Sequence, residues 1–254
     1  MNRKPLLKKF SATLERVKAV FKPRIENGNT VPEASFPFLV KLIYEQGPQF
    51  KVMCAGIALD EHWVLTAGHC ASQVNFVRPA GTSNLFTFEP HPHPDFIGSS
   101  ALDTRHDLAL LRVTDGTLPQ HWDISRILRA ADIPGSSSFV AFGWGKPRTN
   151  ERDPDLRRSN LLSFQPAATC ETIYFPQKVQ AGSELCVGRP SMSPCRNDSG
   201  GPLFTATGND RNPVLGSLVG VVSKADRDCS NSGPAIFSSF DDAVLQWIRD
   251  RNNL

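Results

Sequence analysis

The chain has 254 residues, 40% of them hydrophobic, which suits a globular protein with a sizeable core and leaves no apolar run long enough to predict a membrane-spanning helix. Its net charge of +3 is uneven, because residues 1–24 carry eight Lys or Arg and one Glu while the rest of the chain has a net charge of −4. A nucleic-acid-binding protein needs a basic face on its folded body, so this distribution excludes that class from our prediction.

Residues 1–24 place apolar side chains at helical spacing among basic ones: Leu6, Phe10, Leu14, Val17 and Phe21. Two interpretations of this segment stay open. It is either a removable basic pro-segment that ends at Arg24, or a basic amphipathic helix that binds a membrane surface or directs targeting. We favour the pro-segment, which makes residues 25–254 the folded domain.

Short apolar or alternating runs follow, including residues 38–43, 53–59 and 108–113, and they are separated by Pro, Gly, Asn and Asp. This pattern predicts an all-β fold. A long connection over about 115–136 divides the strands into two halves, as expected if each half closes its own barrel. Near the end, two aspartates precede an apolar stripe, which predicts a C-terminal helix over about 241–252.

Three motifs carry the residues of nucleophilic catalysis. Residues 195–203 read Cys-Arg-Asn-Asp-Ser-Gly-Gly-Pro-Leu, which exposes Ser199 between an acidic residue and two glycines. Serine alone is a poor nucleophile and needs a base and a carboxylate that orients the base. His69, beside a cysteine after an apolar run, and Asp107, at the head of another apolar run, are the candidates.

The order His69, Asp107, Ser199 and the local motifs resemble the chymotrypsin/trypsin family of serine proteases. The resemblance extends from about Ile25 to the C-terminus and includes Phe36-Pro37 and Gly143-Trp144-Gly145. It implies two six-stranded antiparallel β-barrels, over about 25–125 and 135–240, followed by the C-terminal α-helix. It also implies a serine endopeptidase that hydrolyses peptide bonds with the catalytic triad His69, Asp107 and Ser199.

The six cysteines form an even set, which favours disulfides and an oxidising compartment, although the number alone leaves fifteen pairings open. The resemblance implies Cys54 with Cys70, Cys170 with Cys186 and Cys195 with Cys229. The N-terminus lacks the apolar core of a secretory signal. The inference of secretion therefore rests on the cysteines and the family resemblance.

Metal and cofactor sites are not expected. No Cys-x-x-Cys pair occurs, and His91 and His93 alternate with prolines in a pattern more typical of a turn than of a ligand pair. Some relatives bind calcium between the catalytic histidine and aspartate, but residues 73–88 contain no carboxylate.

The backbone amides of Asn197 and Ser199 are implied as the oxyanion hole. The family nearly always has glycine two residues before the nucleophile, where this chain has Asn197. Because asparagine tolerates a positive φ better than most side chains, we expect the loop to form with some strain and the chemical step to be slower.

The resemblance also assigns the specificity pocket, with Ser193 at its base and Ala225 and Ala235 on its walls. An uncharged base and two methyl groups predict small or medium uncharged residues at P1, the position before the scissile bond. Ser223 lies in the segment that pairs with substrate backbone. Lys224 replaces the usual tryptophan and so adds a cation beside the neighbouring subsites.

Cleavage between Arg24 and Ile25 is the implied activation step, after which the new α-amino group pairs with Asp198. We expect Asp198 to turn outward in the uncut chain, because a buried carboxylate without its cation is costly. The predicted pocket rejects arginine, so a separate trypsin-like protease is expected to make the cut.

The other expected partners are protein or peptide substrates and protein protease inhibitors, with the enzyme itself a monomer and no nucleic acid bound. The alternative function is a catalytically weak protease homologue that acts as a binding protein.

Overall fold

A computed structural model describes residues 25, 28–98, 104–145, 154–192, 194–195, 197–225 and 233–252. Its regular elements in chain order are β1 (Asn29–Thr30), β2 (Leu39–Gln46), β3 (Gln49–Ala58), β4 (Trp63–Thr66), α1 (Gly68–Ala71), β5 (Phe76–Pro79), β6 (Phe88–Pro92), β7 (Ala109–Val113), β8 (Ser138–Gly143), β9 (Arg157–Arg158), β10 (Leu162–Phe164), α2 (Ala167–Ile173), β11 (Glu184–Gly188), β12 (Pro202–Gly208), β13 (Pro213–Lys224), β14 (Ala235–Ser239) and α3 (Asp242–Asn252). Short 3-10 helices span Glu33–Ser35, Ile124–Arg126 and Ala130–Asp132.

The first sheet has the strand order β5-β2-β3-β4-β7-β6 and curls until its ends meet. Val77 in β5 and Phe86 exchange two backbone hydrogen bonds of 2.9 Å at the closure. Along β2 the buried residues alternate, so that Val40 and Leu42 pack inside this barrel while Leu39 and Ile43 join the cluster that reaches the second sheet. The run of hydrophobic residues in β2 is therefore explained by burial on both faces.

The second sheet has the order β1-β9-β8-β10-β11-β14-β13-β12, and β12 pairs back with β8. The closed barrel thus consists of the six strands β8, β10, β11, β14, β13 and β12. The two-residue strands β1 and β9 are attached to it, with β9 paired to β8. Phe139, Leu162, Val187, Leu203 and Phe237 are fully or almost fully buried inside it. The prediction of two antiparallel barrels is confirmed.

Aromatic side chains fill the interface between the barrels. Phe36 packs on Phe142 with ring centroids 4.6 Å apart, and Trp122 packs on Phe204 at 4.5 Å. Such contacts are worth about 0.5–1.5 kcal/mol each beyond the area that they bury. These aromatic contacts therefore help to hold the two barrels in a fixed relation.

The predicted C-terminal helix is present as α3. Asp241 caps it, since its Oδ1 accepts a hydrogen bond from Val244 N at 2.8 Å. Val244, Leu245, Trp247 and Ile248 form its buried face. No helix among the described residues is both long and apolar enough to cross a membrane.

Candidate active site

The predicted base and its carboxylate meet at the end of the first barrel. His69 lies on α1, which begins two residues after the end of β4, and Asp107 lies two residues before the start of β7. His69 Nδ1 donates to Asp107 Oδ2 at 2.7 Å, and the backbone N–H of His69 donates to Oδ1 at 2.8 Å. Because a carboxylate only accepts, Nδ1 carries the proton and Nε2 is the basic nitrogen of the imidazole.

The second barrel also binds this carboxylate. Ser223, on β13, donates its hydroxyl to Asp107 Oδ2 at 2.7 Å. Asp107 is fully buried, and a buried charge is costly unless several donors surround it. With three donors from two barrels, Asp107 has the partners that it needs to hold the imidazole in one orientation.

The predicted nucleophile loop is attached to both barrels. The carbonyl of Ser199 accepts from Ala55 N at 2.8 Å, and Gly200 N donates to Val222 O at 2.7 Å. Gly200 has φ +76°, and a Cβ there would overlap Thr66 Oγ1 and the carbonyl of Ala55, so only glycine fits. Ser199 is therefore held next to the strand that leads into His69.

The imidazole is not yet hydrogen-bonded to the serine. Within the part of the chain that the structure describes, no hydrogen bond joins Ser199 Oγ to His69, and His69 Nε2 lies 3.7 Å from Cys70 Sγ. Catalytic hydrogen bonds are often long in the absence of substrate and shorten when it binds. This geometry fits a histidine that accepts the serine proton once a substrate is bound.

The two amides of the predicted oxyanion hole are available as donors. Asn197 has φ +73°, as expected for a position that the family fills with glycine, and its Nδ2 donates to Val52 O at 3.1 Å. Among the described residues, the backbone N–H groups of Asn197 and Ser199 donate no hydrogen bond. Both N–H groups are therefore available to donate hydrogen bonds to an oxyanion that develops on the substrate.

Asp198 overturns one expectation. It is fully buried in the uncut chain, where Oδ1 accepts from Gly145 N at 2.7 Å and Oδ2 from Cys195 N at 2.8 Å. The amide nitrogen of Ile25 lies 3.4 Å from Oδ2. The prediction that Asp198 turns outward before cleavage was wrong, because two backbone N–H groups already offset the cost of burying its charge.

The disulfides agree with the implied pairing where the structure describes them. Cys54 is bonded to Cys70, which ties β3 to the helix that carries His69, and Cys170 is bonded to Cys186. Cys195 is disulfide-bonded as well. Its predicted partner, Cys229, lies outside the described residues.

The predicted pocket walls lie at the core of the second barrel. Ala235, the first residue of β14, belongs to the buried cluster inside this barrel, and Ala225, which directly follows β13, packs against that cluster. Ala235 is buried and Ala225 is half-buried. Ser193, predicted at the bottom of the pocket, lies outside the described residues, and so does Arg24 at the predicted cleavage site.

His93 and His106 lie behind Asp107 and have packing contacts of their own. Their rings stack with centroids 4.7 Å apart, and His93 Nδ1 accepts from Asp95 N at 3.2 Å. Burial lowers the pKa of His93, and the neighbouring His106 lowers it further. His93, Asp95 and His106 each offer one possible ligand atom, all within 4.8 Å of one another, while His93 Nδ1 is already bonded to the backbone N–H of Asp95.

Three comparisons with known proteins show what this chain is similar to. A family profile described as Trypsin matches residues 25–248. Human kallikrein-12 is 30% identical over 91% of this chain and 92% of its own length, and the mouse epidermal growth factor-binding protein type B is 29% identical over 89% of both chains. The structure of neuropsin, a serine protease expressed in the limbic system of mouse brain, matches with a TM-score of 0.68 at 21% identity, over 89% of this chain and 99% of that one. At this identity the neuropsin match concerns the fold alone.

Proposed function

Because the chain belongs to the trypsin family of serine proteases, we propose that it is a serine endopeptidase with the catalytic residues His69, Asp107 and Ser199. The observation that carries the proposal is the bond of 2.7 Å between His69 Nδ1 and Asp107 Oδ2, which leaves Nε2 as the base. The attachment of the Ser199 loop to both barrels supports it further.

In the proposed reaction, Ser199 Oγ attacks the carbonyl carbon of the scissile bond while its proton passes to His69 Nε2. The amides of Asn197 and Ser199 stabilise the oxyanion of the tetrahedral intermediate. Collapse of the intermediate breaks the C–N bond, and the leaving amine takes the proton from Nε2. Water then attacks the acyl-enzyme, gives a proton to Nε2, and Ser199 recovers that proton when the carboxylic acid leaves.

The proposed P1 preference is for small or medium uncharged side chains such as Ala, Val or Leu. Its support is that Ala235 lies in the buried cluster of the second barrel and Ala225 packs against that cluster, so their methyl groups occupy space that glycines would leave open. One added or missing methylene in such a pocket changes substrate selection by roughly 10- to 200-fold. Arginine and lysine are excluded from the proposal, since neither alanine offers a counter-charge.

The chain is proposed to be a zymogen that a separate trypsin-like protease cleaves after Arg24. Ile25 has φ +30° in the uncut chain, a strained value for a β-branched residue, and its side chain is fully buried. Cleavage would release this strain and turn an amide 3.4 Å from Asp198 into an ammonium. A hydrogen bond between charged groups is about twice as strong as a neutral one, which would stabilise the ordered pocket.

Secretion, a monomeric state, and protein protease inhibitors as further partners also belong to the proposal. The disulfides support secretion, because such bonds persist in oxidising compartments.

Hydrolysis of a peptide library by the trypsin-cleaved protein tests the catalytic assignment. Ser199→Ala and His69→Ala should each lower the rate by about 10⁴-fold or more. His62→Ala is the matched control, since the His62 side chain is 45% exposed and lies outside the proposed site, so the rate should be unchanged. Correctly cleaved, folded protein that is no faster than its Ser199→Ala variant would contradict the assignment.

A second candidate is a catalytically weak homologue that binds a protein partner through the same cleft. Asn197 at the oxyanion loop and the missing hydrogen bond between Ser199 and His69 among the described residues favour it. One relative in the same family carries the name of a growth factor-binding protein. Measurable turnover that requires both Ser199 and His69 would exclude this candidate.

A further inference from the structure

Glu33, at the start of the 3-10 helix Glu33–Ser35, connects the two barrels through its carboxylate. Its Oε1 pairs with Lys41 Nζ at 2.7 Å and accepts from Trp144 Nε1 at 2.8 Å, and its Oε2 accepts from Gly81 N at 2.7 Å. Lys41 lies on β2 and Gly81 lies after β5 in the first barrel, whereas Trp144 directly follows β8 of the second. One carboxylate thus binds three segments that are far apart in sequence.

This group of side chains is buried. The Lys41 side chain is 3% exposed, the Glu33 side chain is 21% exposed, and Trp144 is fully buried. The Lys41 ammonium also lies 5.5 Å from the centre of the Trp144 ring, within the range of a cation–π interaction. The only polar atom of an indole is its N–H donor, and the buried one of Trp144 is bonded to Glu33. Glu33 therefore fixes the orientation of this ring.

The backbone on either side of Trp144 lies against Asp198. Gly145 N donates to Asp198 Oδ1 at 2.7 Å, and a Cβ at Gly143 would overlap the same oxygen. Gly145 has φ +55°, a conformation that side chains other than glycine rarely adopt. Because Trp144 stands between these two glycines, a change in the position of its ring would move the backbone that holds Asp198.

Asp198 is in turn the centre of the loop that carries the proposed oxyanion donors, which are the N–H groups of its two neighbours in the chain. Its Oδ2 accepts from Cys195 N at 2.8 Å, and the amide nitrogen of Ile25 lies 3.4 Å from the same oxygen. The residues that follow the proposed cleavage site thus reach both oxygens of this carboxylate. Ile25 reaches Oδ2 directly, and Glu33 reaches Oδ1 by way of Gly145.

We propose that Glu33 is a positioning residue for the reaction. By holding the indole of Trp144, it fixes the Gly145 amide against the Asp198 carboxylate and so keeps the oxyanion donors in place. The proposal rests on the proposed function, because it concerns the loop to which oxyanion stabilisation is assigned. A buried ion pair adds little net stability compared with apolar side chains of similar volume, since desolvation opposes it. The role assigned to the pair of Glu33 and Lys41 is therefore the position that it imposes.

Hydrogen exchange in the uncut, full-length chain tests this link without any need of activity. The variant Trp144→Phe removes the Nε1–H donor and leaves the pair of Glu33 and Lys41 in place. Amide exchange at Gly145, followed by NMR, should become about 10- to 100-fold faster, the range for loss of a hydrogen bond to a charged group. Trp247→Phe is the matched control and should leave this rate unchanged, because Trp247 is 8% exposed and its Nε1 bonds to none of the described residues.

Variants of Glu33 separate its hydrogen bond from its charge. They are made in the Lys41→Met background, so that none of them leaves a buried ammonium without its carboxylate. Glu33→Gln keeps an acceptor for Trp144 and should keep exchange at Gly145 slow. Glu33→Leu removes the acceptor and should reproduce the faster exchange of Trp144→Phe. If Trp144→Phe does not fold, these two variants decide the result.

In trypsin-cleaved protein, Trp144→Phe should lower kcat by about 10- to 100-fold and change KM by less than about threefold, because oxyanion donors act chiefly on the transition state. Exchange at Gly145 that stays slow in Glu33→Leu, or that is equally fast in Glu33→Gln or in Trp247→Phe, would overturn the proposal. So would a kcat of Trp144→Phe equal to that of wild type. Folded, cleaved wild type that hydrolyses no peptide would instead contradict the proposed function, and the exchange rates would still decide whether Glu33 positions this loop.

Discussion

Replacement of Asp198 by asparagine removes a buried charge that two backbone donors stabilise. The carboxylate accepts from Gly145 N at 2.7 Å and from Cys195 N at 2.8 Å, one bond to each oxygen. Asparagine keeps one acceptor and turns an NH₂ group toward the other donor. Losing a hydrogen bond to a charged group costs about 1.5–3 kcal/mol, and a buried N–H left unsatisfied costs about 1–3 kcal/mol more. Together these costs come to about 2.5–6 kcal/mol against the ordered loop, which at about 1.4 kcal/mol per factor of ten lowers activity by about 10²- to 10⁴-fold.

The assay compares kcat/KM of trypsin-cleaved wild type and Asp198→Asn on one peptide substrate, with the new N-terminus at Ile25 confirmed by mass. Asp210→Asn is the control, because Asp210 likewise accepts from a backbone N–H, that of Leu161, and from Arg189, but outside the proposed site, and it should leave the activity near that of wild type. Asp198→Asn within threefold of wild type would refute the view that this carboxylate orders the oxyanion loop.

Three further predictions concern the loop, the pocket and the cluster behind the triad. Asn197→Gly should raise kcat more than it lowers KM, because it relieves the strain of φ +73° at a residue that acts on the transition state; an unchanged or reduced kcat would contradict this. The double variant Ala225→Gly, Ala235→Gly should shift a peptide-library profile toward Phe and Tyr at P1, and an unaltered profile would count against the pocket assignment. Burial lowers the pKa of His93 from its ordinary value of 6.5, so the unfolded chain binds the extra proton and the unfolding free energy should fall as the pH drops below about 6.5. Denaturant titrations of His93→Asn should give a flatter pH dependence in that range, and a slope equal to that of wild type would argue that other groups cause it.

Local patterns were enough to predict the elements that carry the candidate site. Alternating runs gave the strands, and Asp241 ahead of an apolar stripe gave the helix that begins at Asp242. His69 follows a buried strand and Asp107 precedes one, and the apolar runs of both strands are visible in the sequence. Residue type and neighbours therefore indicate the site when the chemistry belongs to the side chain itself.

The sequence carries no comparable indication of the contacts that backbone groups make. Asp198 accepts from the amide hydrogens of Gly145 and Cys195, a group that every residue but proline possesses. The orientation of Asp198 before cleavage was therefore predicted wrongly, from its charge alone. Asn197 was predicted only in part. Its positive φ could be expected from its position, but its bond to the carbonyl of Val52 could not, because the two residues are 145 apart in sequence.

The hydrogen bonds that Gln177 makes were missed for a related reason. Gln177 and Thr104 are 73 residues apart in the sequence, and neither residue type indicates that the two side chains meet. Only folding brings them together, with Lys224 bonded to the amide oxygen of Gln177.

Labelling with a fluorophosphonate tests the central claim most directly, because this reagent reports an activated serine without need of the right substrate. Protein cleaved after Arg24 should take up one equivalent, with the added mass on the peptide that contains Ser199, and His69→Ala should slow labelling by about 10³-fold or more. Folded, correctly cleaved protein that takes no label, or that labels as fast without His69, would contradict the claim that Ser199 is a histidine-activated nucleophile.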